Sequence, residues 1–337
     1  MNILGIETSC DETCASCVED GKRILSNVVS SSMKDHQKYG GIIPEIASRR
    51  QMELINTVVT QALEDAGLNL DKIDCVAVTQ SPGLIGSLLV GVSFARALSF
   101  ALDKPIIEVN HIQAHLYANF LRFEEVGQDS AYLSEHHNTE FPTLPAIGLV
   151  VSGGHSSLFY IKEFNRFVLL GQTRDDAVGE AYDKVARILG LGYPGGPIID
   201  RLAKDGENKE IHFSCAQLPH TLDFSFSGIK TAVLYHLRRE KTVDEETTKK
   251  IAYAFQKSVV AVLIEKCISA CQKKKIKTLV VGGGVAANSS LRQRLELRAR
   301  EEGIKVFLPP LSLCTDNAAM IAGLAYHLRK KNNSSLR

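Results

Sequence analysis

The feature that most restricts the fold is a pattern that occurs twice. Ile3-Leu4-Gly5-Ile6-Glu7-Thr8-Ser9 runs into the strand-like Ala15-Ser16-Cys17-Val18, and Ala146-Ile147-Gly148-Leu149-Val150-Val151-Ser152 runs into Ser157-Leu158-Phe159-Tyr160. Each copy reads as strand, small-polar turn, strand. Since each opens one half of the chain, a duplicated fold is expected, with a nucleotide between the halves and each turn facing its phosphates. Chance similarity of two hairpins is the alternative.

The rest of the chain alternates in the same spirit. Short apolar runs at 2–6, 73–79, 106–109, 146–151, 278–281 and 305–308 have the length and boundaries of buried strands. Amphipathic stretches at 45–66, 84–101, 177–189, 227–239, 245–271 and 289–302 lie between them as helices. Strand alternating with helix predicts an α/β protein with central sheets. Residues 122–145 are polar and acidic, contain His136-His137, show no periodicity, and read as a linker or surface insertion.

With 337 residues and 45% hydrophobic content, the chain can bury a core large enough for two domains. A net charge of +1 excludes wholesale wrapping by nucleic acid, which needs a basic stripe. The first residues lack a basic start and long apolar core, so a cytoplasmic protein with eight reduced cysteines is expected, without a membrane role. Residues 75–95 carry no charge over the length of a membrane span, yet Gln80-Ser81-Pro82-Gly83, Gly86 and Gly91 break them into strand, turn and packed helix.

Several residues could carry chemistry. His111 and His115 are four apart, with Asn110 as N-cap, so both imidazoles fall on one side of a helix and can grip one metal ion. Asp316, expected to begin the last helix, is the best third ligand; capping that helix is its alternative role. Two histidines and a carboxylate with open positions suit iron or zinc. A metallopeptidase would need glutamate after the first histidine, where Ile112 stands.

The turns Ser152-Gly153-Gly154, Pro194-Gly195-Gly196-Pro197 and Gly282-Gly283-Gly284 let backbone approach a ligand, and together favour nucleotide binding. Asp176, Glu180 and Asp183 share one helix face, either solvated or, with Asp200, available to ribose or substrate hydroxyls. Cys14 and Cys17 have CxxC spacing but point to opposite faces of a strand. Lys273-Lys274-Lys275 and Arg292, Arg294, Arg298 and Arg300 read as solvated faces, with RNA contact as the alternative.

Taken in order, Gly5-Ile6-Glu7-Thr8-Ser9-Cys10-Asp11-Glu12-Thr13, residues 40–49, Pro82-Gly83-Leu84, Asn110-His111 through His115, Val151-Ser152-Gly153-Gly154-His155, residues 175–184, Tyr193 to Pro197, residues 224–230 and Cys314-Thr315-Asp316-Asn317 resemble the TsaD (Gcp, or Kae-type) family nearly end to end. The resemblance implies the actin-like ATPase, sugar-kinase and Hsp70 fold, two duplicated ribonuclease-H-like lobes with a central cleft. It divides the chain into an N-terminal lobe 1–121 completed by a C-terminal helix 316–332, the insertion 122–145, and a C-terminal lobe 146–315.

The reaction it implies is transfer of a threonylcarbamoyl group from threonylcarbamoyl-AMP to the N6 amine of adenosine at tRNA position 37, releasing AMP, without a covalent enzyme intermediate. An ATP-binding chaperone-like or regulatory module on the same fold, or a metallopeptidase, is the alternative.

By the same resemblance, His111, His115 and Asp316 would ligate one divalent metal ion per subunit, Fe2+ in preference to Zn2+. Val150, Val151, Ser152, Gly153, Gly154, Asp183, Gly196, Asp200 and Asn288 would form the adenylate pocket. Asp11 would be catalytic, supported by His155. Implied partners are tRNA, the paralogue TsaB, the ATPase TsaE, and TsaC or its Sua5-type relative as source of the adenylate. Four features depart from the family pattern: Val150 replaces a metal-binding tyrosine of archaeal relatives, Gln51 stands where histidine is frequent, the 122–145 segment is long, and Cys14 and Cys17 lie outside it.

Overall fold

The computed structural model describes residues 1–123, 140–216, 218–240 and 243–332. Most of the expected insertion, including His136 and His137, lies outside the described residues. The chain divides into two compact units, Met1–Phe141 with Pro309–Arg337, and Pro142–Leu308.

In the first unit the strands are β1 (Asn2–Glu7), β2 (Glu12–Glu19), β3 (Arg23–Ser31), β4 (Cys75–Ser81), β5 (Ile106–Asn110) and β6 (Arg122–Phe123). Its helices are α1 (Met33–Gln37), α2 (Pro44–Asp65), α3 (Ile85–Leu102) and α4 (His111–Tyr117). The second unit holds β7 (Ala146–Val151), β8 (Ser156–Glu163), β9 (Arg166–Gln172), α5 (Val178–Ile188), α6 (Gly195–Lys204), α7 (Ser227–Leu237), α8 (Glu245–Lys274), β10 (Thr278–Gly282), α9 (Ser289–Glu301) and β11 (Lys305–Phe307). The chain then returns to the first unit as α10 (Ala318–Asn332).

Both sheets have one plan. The first runs β5-β4-β1-β2-β3-β6 and the second β11-β10-β7-β8-β9. In each, three strands form an antiparallel meander, and two later strands add in parallel beside the first of them. The repeated hairpin of the sequence is therefore the start of a repeated five-strand unit. Central strands β1 and β7 are covered on both faces, so their residues read as continuous apolar runs.

On one face of the first sheet, Leu4 and Ile6 share a core with Ile55, Val58, Val59 and Ala62 of α2. Pro44 starts that helix at a position needing no amide hydrogen, and its buried residues recur every three or four positions. Gly5 points to the other face, where a Cβ would lie 2.9 Å from that of Ala322, so α10 sits directly on β1.

Helix boundaries follow the periodic stretches closely for α2, α3, α5, α7, α8 and α9. One expectation fails at Pro194-Gly195-Gly196-Pro197. These residues open α6 instead of turning the chain back, because Pro197 falls in a first turn whose amides have no helical acceptor. A second fails at Asp316, since α10 starts two residues later and Asn317 Oδ1 caps it by accepting from Met320 N–H at 3.0 Å. Strand β3 carries too many polar residues to be read as a buried run, and β9, whose apolar stretch Phe167 to Leu170 is exposed or half-buried, is not a buried strand.

Candidate functional site

Asn110 closes β5 and its Oδ1 accepts from Gln113 N–H at 3.1 Å, which starts α4 at His111. One turn later comes His115, and the loop before α10 brings in Asp316. His111 Nε2 and His115 Nε2 are 3.2 Å apart, and Asp316 Oδ1 lies 3.2 Å from the second and 3.6 Å from the first. Zinc–nitrogen bonds of ~2.1 Å would separate neighbouring donors by roughly 3.0–3.4 Å; two of the three separations fall in that range and the third, 3.6 Å, lies just beyond it. His111 and His115 are buried and Asp316 is partly open. The residues fit a divalent metal with room for an outside ligand.

Behind His111 stands a residue given no role from the sequence. Glu7, fully buried at the end of β1, has its Oε2 2.9 Å from His111 Nδ1. Thr79 Oγ1 donates to the same oxygen, and Ser9 N–H donates to Oε1. Burial pulls the His111 pKa down, but the Glu7 and Asp316 charges outweigh it and lift the ring to about 9 without a metal.

The turn joining β1 to β2 carries Asp11, which is buried. Ser32 Oγ donates to Asp11 O at 2.7 Å. Gln51, fully buried on α2, points its amide into the same turn, with Nε2 3.0 Å from both Cys10 O and Glu12 O and 3.4 Å from Thr8 O. Burial, then the Asp316 and Asp11 charges, push the Glu12 carboxyl up to about 10. Cys14 and Cys17 are buried, free thiols on β2.

In the second unit Val150 and Val151 are fully buried, so only their backbone could meet a ligand. The turn after them is pinned at both ends. Ser152 N–H donates to His155 O at 2.8 Å, and His155 N–H donates to Ser152 Oγ at 3.1 Å. Gly179 N–H at the start of α5 donates to Ser152 O at 3.2 Å. Gly153 and Gly154 are exposed, with nothing within 4 Å of where a Cβ would stand. Against this strand lies Gly283 at φ +95°, where a Cβ would be 2.8 Å from the Val151 carbonyl carbon.

The remaining polar residues of this unit hold one another. Asp183 Oδ1 accepts from Gly195 N–H at 2.7 Å; burial raises its pKa, against the pull of the Gly195 and Gly196 amides. Gly196 itself leaves open space. Asp200 accepts from Ser289 N–H, Ser289 Oγ and Gln256 Nε2, all at 3.0–3.1 Å. Asn288 caps α9 and donates to Gln256 Oε1 at 2.8 Å. Asp176 and Glu180 are not a free acidic face, because Lys184 bridges them at 2.7 and 2.8 Å and Lys230 adds a contact to Asp176.

Residues 23–323 match the family described as TsaD: tRNA N6-adenosine threonylcarbamoyltransferase. The chain belongs to the TsaD family. A protein of that name from Clostridium botulinum (strain Kyoto / Type A2) is 48% identical over 337 residues, covering 99% of this chain and 94% of its own length. One from Clostridium perfringens (strain ATCC 13124) is 48% identical over 335 residues, with the same coverage.

Among solved structures, T. kodakarensis HypF superposes with a TM-score of 0.62 at 13% identity, over 98% of this chain and 48% of that one. Component A of the Acidaminococcus fermentans (R)-2-hydroxyglutaryl-CoA dehydratase gives 0.54 at 15% identity, over 98% and 99%. At these identities they show the fold alone, and it is the actin-like ATPase fold of the TsaD family.

Three residues outside the expected set support it: in the first unit Glu7 touches His111 and Gln51 touches the turn that carries Asp11, and in the second Gln256 touches Asp200. Glu7 had a signal in the sequence, a charge ending an otherwise apolar strand. Gln51 was marked only as a departure from the family pattern, and Gln256, at an ordinary position of an amphipathic helix, had no signal.

Proposed function

We propose that this TsaD-family chain transfers a threonylcarbamoyl group from threonylcarbamoyl-AMP to the N6 amine of the adenosine at tRNA position 37. The reaction joins the N6 amine of adenosine 37 to the carbamoyl carbon of threonylcarbamoyl-AMP, breaks the bond from that carbon to the phosphate oxygen, and releases AMP and a proton. The adenine amine is a weak nucleophile, so the mixed anhydride supplies activation and the protein supplies orientation.

His111, His115 and Asp316 hold one divalent ion, Fe2+ in preference to Zn2+. When bound, the ion polarises and positions the threonylcarbamoyl group. Asp11 is the carboxylate assigned to the reacting amine, with His155 in support. Backbone at Val150 to Gly154, together with Asp183, Gly196, Asp200 and Asn288, receives the AMP end. Asp183, Asp200 and Asn288 are already engaged in holding α6 and α9, so their part is to fix the amides and the open glycines that meet the ligand. No covalent enzyme intermediate is required.

The convergence of three donor atoms at 3.2–3.6 Å on α4 and the loop before α10 carries this reading. TsaE and the TsaC or Sua5-type source of the adenylate enter as partners of the family. The paralogue TsaB is a further partner of the family, and α3, whose Ile85 and Phe100 are 89% and 90% exposed, offers an apolar face on which its binding can be tested. The chain is placed in the cytoplasm, where α3, long and apolar enough to span a membrane, would meet protein instead of lipid.

The test is reconstitution with tRNA, threonine, bicarbonate, ATP and the partner proteins, reading the modified nucleoside and bound metal together. His111→Ala or Asp316→Ala should lose the metal and most of the product. Full modification by the metal-free double variant would sink the assignment.

A further inference from the structure

We infer that Glu7 is a positioning residue that keeps His111 protonated on Nδ1 and so presents its Nε2 lone pair to the metal. The inference rests on the metal reading above and concerns how the protein builds that site.

A fully buried carboxylate on a central strand costs several kcal/mol of lost hydration unless partners replace the water. Glu7 has three: Ser9 N–H on Oε1, and Thr79 Oγ1 and His111 Nδ1 on Oε2. The fold does not ask for this charge. Glu7 is the sixth residue of β1, paired with Cys14 of β2; in the repeated sheet, the sixth residue of β7, paired with Ser156 of β8, is the fully buried Val151. An apolar residue therefore satisfies the same sheet position in the unit without the histidines.

Oε2 already accepts from Thr79 Oγ1 and faces the ring as an acceptor, which assigns the hydrogen between it and the ring to Nδ1. Ser9 Oγ lies 3.2 Å from the same nitrogen, and its hydroxyl can rotate to accept. With Nδ1 protonated, neutral His111 has its lone pair on Nε2, the atom facing His115 and Asp316. His115 lacks such a device, since its buried Nδ1 has no hydrogen-bond partner. The two ligands differ: the His111 ring is oriented through a hydrogen bond at Nδ1, and the His115 ring only through its contacts at Nε2 and its packing.

Glutamine at position 7 cannot serve both neighbours. Its NH2 must face either Ser9 N–H or His111, and facing His111 moves the ring proton to Nε2, where it blocks the metal. The test uses full-length wild type, Glu7→Gln and His111→Ala, titrated with Zn2+ against a chromophoric chelator, with 15N NMR of the histidine rings in Zn2+-loaded wild type. Glu7→Gln should bind Zn2+ about 10–100-fold more weakly while melting cooperatively. The NMR should place a proton on His111 Nδ1 and the metal on Nε2.

If His111→Ala binds Zn2+ as wild type does, the metal reading itself falls. If His111→Ala loses Zn2+ while Glu7→Gln stays within about threefold of wild type, the role of Glu7 is overturned and the site stands. Should Glu7→Gln not fold, the wild-type spectrum still decides, because a His111 Nδ1 without a proton refutes the inference.

Discussion

Gln51 shows how little a single side chain can look like from the sequence and how much it can hold. Its one NH2 group reaches three carbonyls of the turn that carries Asp11, which no apolar residue of the same length can do. Gln51→Leu is expected to cost about 1–3 kcal/mol, the penalty for leaving buried carbonyls unpaired. It should also lower turnover while leaving metal content intact; denaturant midpoints, metal analysis and nucleoside yield check the three parts.

Asp175 makes a prediction about pH. Burial acts to raise its pKa, but Ser225 Oγ, the Phe226 and Ser227 amides and Ser227 Oγ outweigh that and hold it below the ordinary carboxylate value. A depressed folded pKa gives stability that is present above the unfolded value, near ~3.9, and lost as pH falls through the folded one. Asp175→Asn should therefore melt below wild type at pH 7, and the gap should close as the pH drops below about 4. A gap that stays constant with pH would refute the charge as its source.

At the scale of an element, α3 packs through one narrow seam and leaves most of its apolar surface outside. Its buried residues are Ser87, Gly91 and Ala95, a seam of small side chains every four positions, and a Cβ on Gly91 would stand 3.3 Å from that of Thr8 and closer still to its hydroxyl. Small residues let the helix lie against the β1–β2 turn, while Ile85, Leu89 and Phe100 face outward. Leu89→Glu should leave the unfolding free energy within about 0.5 kcal/mol of wild type, as surface changes do. It should abolish co-purification of TsaB, and retained binding would take the partner off this face. Gly91→Ala should do the reverse, lowering stability while leaving the outer face unchanged.

For the whole molecule, the decisive element is the last one. The chain leaves the first unit at residue 141, builds the second, and returns at 309 to lay α10 on β1 and deliver Asp316 to the histidines of α4. A chain ending at residue 308 would lack one donor and the cover over Gly5. It is expected to lose bound metal and the cooperative melting of the first unit while the second unit still melts as a unit, which calorimetry and metal analysis can read separately.

Periodicity was sufficient for the elements because burial on a sheet or helix face writes itself into the spacing of apolar residues. It located β1, β4, β5, β7, β10 and β11 and the long helices, and the doubled hairpin foretold the doubled sheet. His111 and His115 could be paired from a spacing of four because the helix fixes their geometry locally. Nothing local links them to Asp316, Glu7 to His111, or Gln51 to the Asp11 turn. Those partnerships join residues tens to hundreds of positions apart, and hydrogen-bond geometry across such gaps exists only once the strands and helices have packed.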